Sequence, residues 1–341
     1  MAIVLQLPSI KRIKTERPTS CPYCQGETFQ RWGSVKKQVK DTKVRSVKVY
    51  RYRCASCGRT FRDYPEGIDR AIQSERMRLV AMLCWSFGMS YRKVEVMVSW
   101  FGVKLSRMSS WRDVQAEAER IRREKRWQPT RVVGIDGMWV NGQGVMVAVD
   151  IGDGRVLALG EIDEKDMGAV FQWLTRLKQE HGIGAIVTDD LGMYRTLTDQ
   201  LELGHQVCQF HVRRWVGRAC WELGEKLPEE WLWVIDRIKL IMEDLPPDGG
   251  RQLLDLYKGL PGDLKHSRER TAVDDLRHLL IRLSEKWERY TTFFSDPAIP
   301  WTNNPTEQAI GRMKMRAKSV RGYKTSSGML NGLLVSSSTM T

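Results

Sequence analysis

Short apolar runs alternate with polar turns between residues 130 and 212. Three runs, "RVVGIDGMWV", "GVMVAVDIG" and "RVLALGEI", are separated by the turn sequences "NGQG" and "GDGR". This pattern predicts a meander of three antiparallel strands. The sequence then predicts a helix over about 166–181, a buried strand at "GAIVTDD", a helix from about 193 and a strand at "HQVCQF".

The order of these elements, β-β-β-α-β-α-β, is that of an α/β RNase H-like fold, in which helices cover both faces of a mixed sheet. From about 213 to 295 the pattern is almost entirely helical, with breaks at "LPPDGG" and "LPGD". We therefore expect one catalytic-type domain built from 130–212 and 296–341, with a helical insertion at 213–295. Tryptophans recur at helical spacing in the insertion, which favours core packing over stacking on a nucleic-acid base.

A shorter helical region covers about 70–127. Its periodicity is broken at Gly88 and Gly102, and Ser90 and Ser106 are suited to begin the second and third helices. The lengths fit a helix-turn-helix DNA-binding domain, and the alternative is a small helical linker bundle. In the first case, the start of the recognition helix would present Arg107, Ser109, Ser110 and Arg112 to DNA.

Two cysteine pairs lie in residues 1–66. Cys21 and Cys24 form one C-x-x-C, Cys54 and Cys57 form another, and the intervening "VKKQVKDTKVRSVKVYRYRC" alternates like a pair of strands. Four thiolates on facing hairpins suit one structural Zn²⁺, as in a zinc ribbon, in preference to a redox or accidental arrangement. The count of seven cysteines is odd, which argues against a disulfide framework.

Charge and composition limit the classes of partner that the protein is expected to bind. The 341 residues carry a formal net charge of +14, which suits a polyanion, with nucleic acid ahead of an acidic membrane surface. No uncharged apolar run reaches about 18 residues, so no membrane span is expected. The apolar patch in "MAIVLQLPSIKRIK" precedes its basic residues, the reverse of a signal peptide, so we expect a cytoplasmic, nucleoid-associated protein.

The stretch "WTNNPTEQAIGRMK" has two interpretations. Asn304 is suited to an N-cap and Pro305 to the first helical position, so Glu307 fits a capping box. Alternatively, Glu307 is one carboxylate of a metal site for a polyanionic substrate. Basic residues follow it closely and would form either a solvated helix face or contacts to a DNA backbone: Arg312, Lys314, Arg316, Lys318 and Arg321.

Two further carboxylates belong to the predicted sheet. Asp136 lies in the first strand and Asp189 at the end of the fourth, and adjacency of these strands would bring them together. Completed by Glu307, the set offers hard oxygen ligands for Mg²⁺ or Mn²⁺, which also accept phosphate oxygens. Such metals activate an attacking oxygen and stabilise a leaving one.

Four sequence motifs in this order resemble a DDE transposase of a bacterial insertion sequence. They are "GIDG" around Asp136, "VTDDLGMYR" around Asp189, "CQFH" from Cys208 to His211, and "TNNPTEQAIGRMK" around Glu307. The resemblance implies an RNase H-like catalytic domain in which Asp136, Asp189 and Glu307 hold the catalytic metal. The resemblance also favours a metal-ligand role over a capping role for Glu307. A zinc ribbon and a helix-turn-helix in front of the catalytic domain are common in such transposases.

The neighbours of these acids have less definite roles. By the family pattern Asp189 is the ligand, and Asp190 is a helix cap or a supporting group near the site. Cys208 and His211 offer half of a zinc site, but the sequence shows no second half. We expect His211 to lie near the active site and Cys208 to be packing. His205, His266 and His278 are expected on the surface.

The resemblance implies an enzyme that binds the terminal inverted repeats of a mobile element. It would cleave a phosphodiester bond there and join the freed 3′ end to target double-stranded DNA. A homodimer or larger assembly is expected, because two ends must be handled together. Two alternatives are a non-catalytic DNA-binding regulator derived from a transposase and an RNase H-like nuclease or resolvase.

Overall fold

The computed structural model describes residues 7–125, 129–262, 271–320 and 322–338. The chain divides into two compact units. The described residues of Met1–Arg123 and Met315–Met340 form one, and those of Glu124–Lys314 form the other. No helix in the described part of the chain is long and apolar enough to cross a membrane.

The first unit begins with a three-stranded antiparallel sheet. Val47 and Val49 alternate with exposed Lys48 and lie in a small apolar core, which is why this polar segment forms a strand. The strand pair predicted between the two C-x-x-C motifs is confirmed. The strands, paired in chain order, are β1 (Phe29–Gln38), β2 (Ser46–Cys54) and β3 (Thr60–Asp63).

Three helices follow the sheet, and the predicted serines begin two of them. The Ser90 side chain accepts a hydrogen bond of 3.2 Å from the Lys93 N–H, and Ser106 Oγ accepts one of 3.2 Å from the Ser109 N–H. Gly88 and Gly102, both at positive φ, follow the first two helices and reverse the chain. The helices are α1 (Glu75–Ser86), α2 (Tyr91–Trp100) and α3 (Arg107–Lys125).

The second unit contains a five-stranded mixed sheet with the order β6-β5-β4-β7-β8. The first three strands form the predicted antiparallel meander, and β7 and β8 add in parallel on the other side of β4. This is the strand order of an RNase H-like fold, and the predicted fold class is confirmed. The strands are β4 (Val132–Val140), β5 (Gln143–Asp150), β6 (Val156–Glu161), β7 (Ala185–Thr188) and β8 (Gly204–Val207).

Helices α4 (Met167–His181) and α5 (Gly192–Gln200) cover one face of this sheet. Val133 and Ile135 of β4 point into that core and are fully buried. Side chains alternate along a strand, so Val132, Gly134 and Asp136 lie on the opposite face. On that face Val132 packs with Val187, Cys208 and Ile299.

Helices of the insertion share a separate core that includes the buried Trp287. Trp221 and Trp233 are 65% and 56% exposed, so the expectation of core packing is wrong for these two. They lie on the outward faces of their helices. A 3-10 turn at Glu229–Trp231 precedes the second of the helices, which are α6 (Gln209–Gly224), α7 (Leu232–Asp244), α8 (Gly249–Gly259), α9 (Ala272–Glu285), α10 (Trp287–Tyr290) and α11 (Thr292–Ser295).

Two more helices follow, α12 (Asn304–Ser319) and α13 (Ser326–Ser338). Most of α13 is buried among residues of the first unit, where Asn331 Nδ2 donates to Gln115 Oε1 at 2.5 Å. A Cβ on Gly332 would lie 3.2 Å from the Trp85 ring. The described residues between 315 and 338 thus group with the N-terminal segments, although the sequence pattern assigns 296–341 to the catalytic domain. The remaining domain limits stay a prediction.

Candidate active site and zinc site

Asp136 and Asp189 come from two neighbouring parallel strands, β4 and β7. Val132 pairs with Ala185 and Gly134 with Val187. Asp136 lies two residues beyond the last of these pairs in β4, and Asp189 is the first residue after β7. Burial, and then the charge of Asp189, raise the pKa of Asp136. Burial is also the main cause of the raised pKa of Asp189. Two carboxyl groups that are costly to ionise together form a ready site for a cation.

A close approach between β4 and α12 places the third acid. A Cβ on Gly134 would lie only 2.1 Å from both Asn303 Oδ1 and Thr306 Oγ1, so no larger residue fits at this position. Asn303 Nδ2 also donates to the Ile135 carbonyl at 3.0 Å. These contacts bring the start of α12 onto the strand that carries Asp136, and Glu307 follows in the first turn of the helix.

Glu307 is not a capping side chain. The helix begins at Asn304, and the Glu307 N–H already donates to the Asn303 carbonyl at 3.2 Å, so Glu307 lies one residue beyond the capping-box position. The sequence-based assignment of Asn304 as the N-cap is therefore shifted by one residue, to Asn303. Glu307 Oε1 is buried and has no hydrogen-bond partner among the described residues. It lies 3.5 Å from His211 Nε2.

His211 connects the third acid to the first two. It lies in the first turn of α6, and its charge lowers the pKa of both Asp136 and Asp189. Cys208 first, and the charges of Glu307 and Asp189 after it, raise the pKa of His211 itself. The expectation that His211 lies near the acids agrees with this arrangement.

Cys208 is the residue before α6, and it does not lie in a strand. The strand predicted at "HQVCQF" ends at Val207, because the Cys208 carbonyl accepts the Val212 N–H and starts the helix. Cys208 is fully buried, and its sulfur accepts a hydrogen bond of 3.3 Å from the Asn303 N–H. Ligand atoms of Cys208, His211 and Glu307 all lie within 4.8 Å of one another.

Asp190 is engaged elsewhere. Its carboxylate accepts hydrogen bonds from Arg282 at 2.5 Å and Lys286 at 2.6 Å, both in the helical insertion. Tyr290 donates a weaker one at 3.3 Å. Asp189, by contrast, accepts only the Leu191 N–H, at 3.3 Å, among the side-chain hydrogen bonds of the described residues. This difference favours Asp189 as the ligand and Asp190 as a tether to the insertion.

Glu164 is a fourth acid at the site that sequence reasoning missed. The Tyr194 hydroxyl donates to Glu164 Oε1 at 2.6 Å, and a Cβ on Gly137 would lie 2.7 Å from Glu164 Oε2. Burial first, and then the charges of Asp189 and Asp136, raise the pKa of Glu164 to about 7. The stretch "EIDEKD" holds four acids in six residues, and nothing in it marks the one that turns toward β4.

The four N-terminal cysteines converge as predicted. Cys21 Sγ lies 3.8 Å from Cys57 Sγ, and Cys24 Sγ lies 3.6 Å from Cys54 Sγ. All four sulfurs lie within 4.8 Å of one another. This arrangement is consistent with a zinc ribbon, because tetrahedral Zn²⁺ with Zn–S bonds of about 2.3 Å separates its sulfurs by about 3.8 Å.

Two residues predicted to contact DNA are buried. Ser110 is 1% exposed and faces the interior, and Arg316 is 3% exposed, with its guanidinium 4.1 Å from the Trp85 ring centroid. Both predictions are wrong for this structure, because the side chains are used in packing. Arg321 lies outside the described residues. The others are exposed or partly exposed: Arg107, Ser109, Arg112, Arg312, Lys314 and Lys318.

His205 also differs from its predicted surface position. It is 6% exposed, and its Nε2 lies 2.9 Å from Thr188 Oγ1. Burial, and then the charge of Arg289, lower its pKa to about 3, so the ring is neutral. His278 is exposed as expected, and His266 lies outside the described residues.

Comparison with known proteins finds a matching family model. Residues 172–331, slightly less than half of the chain, match the model of the Transposase IS66 family. This match confirms the resemblance to a DDE transposase and supports a transposase or recombinase function. The matched range contains Asp189, Cys208, His211 and Glu307 and begins after Asp136.

Solved structures similar to the chain include the catalytic core domain of BIV integrase. The identity is 17% over 45% of this chain and 83% of that chain, with a TM-score of 0.21. At this TM-score the likeness does not bear on the site. No curated protein matches the chain.

Proposed function

We propose that the chain is a DDE transposase that cleaves phosphodiester bonds at the ends of a mobile DNA element and joins the 3′ ends to target DNA. The observation that supports this proposal is that the charge of His211 acts on both Asp136 and Asp189, while its Nε2 lies 3.5 Å from Glu307 Oε1. The two aspartates come from neighbouring parallel strands, and the Gly134 contact brings the start of α12, which carries Glu307, onto β4. The family match supports the same class of reaction.

The residues fit a divalent metal. The pKa of Asp136 and of Asp189 is raised by burial, and Glu307 Oε1 is buried without a hydrogen-bond partner in the described part of the chain. A bound cation would offset the cost of ionising the two buried aspartates and the cost of leaving Glu307 Oε1 without a partner. Asp136, Asp189 and Glu307 would hold Mg²⁺ or Mn²⁺, which supplies Lewis acidity toward a phosphodiester when bound.

The protein's own charges prepare the site for DNA. Lys314, exposed on α12, lowers the pKa of Asp136 through its positive charge, and Lys318 lies one turn further along the helix. Arg312 is partly exposed on the same helix. These residues are suited to contact the phosphate backbone, which positions DNA without reading its sequence.

The first unit would recognise the element's ends. A zinc ribbon in residues 1–66 and a helix-turn-helix in 70–127 are proposed to bind the terminal inverted repeats. Arg107 and Arg112 are exposed at the start of α3, and Ser109 is partly exposed. The assembly on two ends would be a homodimer or larger, acting on DNA of the nucleoid and not at a membrane.

A purified-protein assay tests the proposal. The full-length chain would be incubated with a labelled duplex that contains an end of its element, in the presence of Mg²⁺. We expect a nick at the element boundary that leaves a 3′-hydroxyl. Sequence-specific binding without any nick, in Mg²⁺ or Mn²⁺, would favour the non-catalytic regulator. Cleavage of branched DNA in preference to the end would favour a nuclease or resolvase.

A further inference from the structure

A second cluster of metal-ligating side chains shares Glu307 with the three acids. It consists of Cys208, His211 and Glu307, whose ligand atoms all lie within 4.8 Å of one another. Cys208 and His211 are one helical turn apart at the start of α6, and Glu307 reaches them from α12. In sequence the C-x-x-H had no second half, and in the structure Glu307 provides it.

The separation of two of these groups suits a shared metal better than a hydrogen bond. His211 Nε2 and Glu307 Oε1 are 3.5 Å apart. A direct N–H···O bond has a separation of about 2.7–3.2 Å. Tetrahedral Zn²⁺ with Zn–N and Zn–O bonds of about 2.0–2.2 Å holds the two atoms about 3.4 Å apart.

Unpartnered atoms point to the same conclusion. His211 Nδ1 and Glu307 Oε1 are both buried, and neither has a hydrogen-bond partner among the described residues. Leaving such atoms buried and unpaired is energetically unfavourable. A bound metal would remove this cost at the carboxylate and fix the orientation of the ring.

The sulfur is prepared for a metal. Cys208 precedes the first turn of α6, where the helix dipole favours a thiolate. The Asn303 N–H also donates to Sγ at 3.3 Å. Cys208 is fully buried, whereas His211 and Glu307 keep side-chain exposures of 32% and 34%. A bound metal would therefore have a buried ligand in Cys208 and would be accessible from solvent on the side of His211 and Glu307.

We propose that Cys208, His211 and Glu307 form a second transition-metal site, selective for Zn²⁺ or Co²⁺ over Mg²⁺, with one coordination position open. The thiolate and imidazole give this selectivity, because Mg²⁺ prefers oxygen ligands. The site itself does not depend on the proposed transposase function. One consequence depends on that function. Glu307 cannot be a full ligand of Zn²⁺ and of Mg²⁺ at the same time, so Zn²⁺ should inhibit Mg²⁺-dependent cleavage.

Cobalt spectroscopy on the full-length protein tests the site. One equivalent of Zn²⁺ per chain is added first, which the four N-terminal thiolates bind in preference, and Co²⁺ is then titrated. We expect a thiolate-to-cobalt absorption band and about one Co²⁺ bound per chain. The band should disappear in Cys208→Ser, and His211→Gln should weaken Co²⁺ binding by at least about tenfold.

Cys220→Ser is the matched control. Cys220 lies within α6, the helix that Cys208 precedes, and is also buried, but it packs in the core of the insertion. It should keep the cobalt band. The proposal is overturned if wild-type protein shows no band, or if Cys208→Ser keeps it while its unfolding temperature matches that of wild type. In the first case His211 would serve only as a counter-charge to the carboxylates.

The inhibition is measured separately. Zinc-inhibited cleavage that Cys208→Ser relieves would support competition for Glu307. If the wild-type protein binds Co²⁺ but never cleaves DNA in Mg²⁺, the proposed function fails and the metal site stands. If it cleaves DNA but shows no cobalt band, the site fails and the proposed function stands.

Discussion

The Tyr194 hydroxyl donates a hydrogen bond of 2.6 Å to Glu164 Oε1 and holds this carboxyl group beside Gly137, the residue after Asp136. Tyr194 is fully buried and cannot turn away. The hydrogen bond thus adds a fourth, fixed acid to the three that the sequence motifs identify. Its role is open to three kinds of measurement, namely metal affinity, pH dependence and cleavage.

Glu164→Gln should raise the Mg²⁺ concentration that cleavage requires. The variant removes a negative charge that acts on Asp136 and Asp189 but keeps the side chain's size. We expect the Mg²⁺ concentration for half-maximal cleavage to rise about 10-fold or more, as for other groups that support metal ligands. Glu161→Gln, an exposed neighbour at the end of β6, is the control and should change nothing. Equal behaviour of the two variants would contradict this role.

The same variant should change how stability depends on pH. Glu164 has a pKa of about 7 in the folded chain against 4.5 ordinarily, so the folded state keeps a proton that the unfolded chain has released. The free energy of unfolding therefore falls as pH rises from about 4.5 to 7. Glu164→Gln should lose part of this fall, on the order of 2 kcal/mol after allowing for solvent screening. Denaturant unfolding in metal-free buffer at pH 5 and pH 8 measures it, and parallel curves would contradict the assignment.

Gly134→Ala should displace α12. Its Cβ would lie 2.1 Å from both Asn303 Oδ1 and Thr306 Oγ1, and the helix would have to move. We expect a loss of about 3 kcal/mol in stability together with loss of cleavage. Gly311→Ala, in the same helix with open space around it, is the control and should stabilise by about 0.5–1 kcal/mol. A fully active Gly134→Ala protein would show that Glu307 does not depend on this contact.

Loss of one N-terminal cysteine should release a zinc ion. Cys24→Ser leaves three thiolates where tetrahedral Zn²⁺ needs four, and metal binding supplies much of the folding free energy of such small modules. Metal analysis should find less zinc per chain than in wild type, and β1–β3 should become sensitive to proteolysis. Cys84→Ser, outside both cysteine clusters, should keep its zinc. Equal zinc contents in the two variants would exclude the ribbon site.

The sequence predicts those features of the fold that depend on the local pattern of residues. Strand alternation and turn residues give the meander of β4, β5 and β6, and Ser90 and Ser106 begin the helices expected of them. Adjacent parallel strands then bring Asp136 and Asp189 together. Each of these features depends on contacts between residues that are close in sequence, or on a register that the apolar pattern fixes.

Features that depend on distant contacts were not predictable. Arg316 looks like one of several basic residues on α12, and only packing on Trp85 buries it. Glu164 is one of four acids in the stretch "EIDEKD", and the hydrogen bond from the distant Tyr194 distinguishes it from the others. Asn303, and not Asn304, precedes the helix, and its side chain donates to the distant Ile135 carbonyl on β4. A periodic pattern contains none of this information.

Asp190→Asn offers the sharpest comparison with its neighbour. Asp190 is paired with Arg282 and Lys286, so its amide variant should lower stability by about 1–3 kcal/mol while cleavage continues. Asp189→Asn, one residue earlier, should abolish cleavage with little change in unfolding temperature. Thermal unfolding and nicking are measured on the same preparations. The reverse pattern would make Asp190 the ligand.

The most direct test of the three-acid site is the nicking activity of Glu307→Gln, measured with its unfolding temperature and its affinity for the element end. Gln keeps the shape of Glu and removes only the charge that a metal needs. Glu307→Gln and Asp136→Asn, each as a single variant, should bind the element end and unfold as wild type does, yet make no nick in Mg²⁺. Full nicking by Glu307→Gln would contradict the account, because the metal site would then lack its third acid.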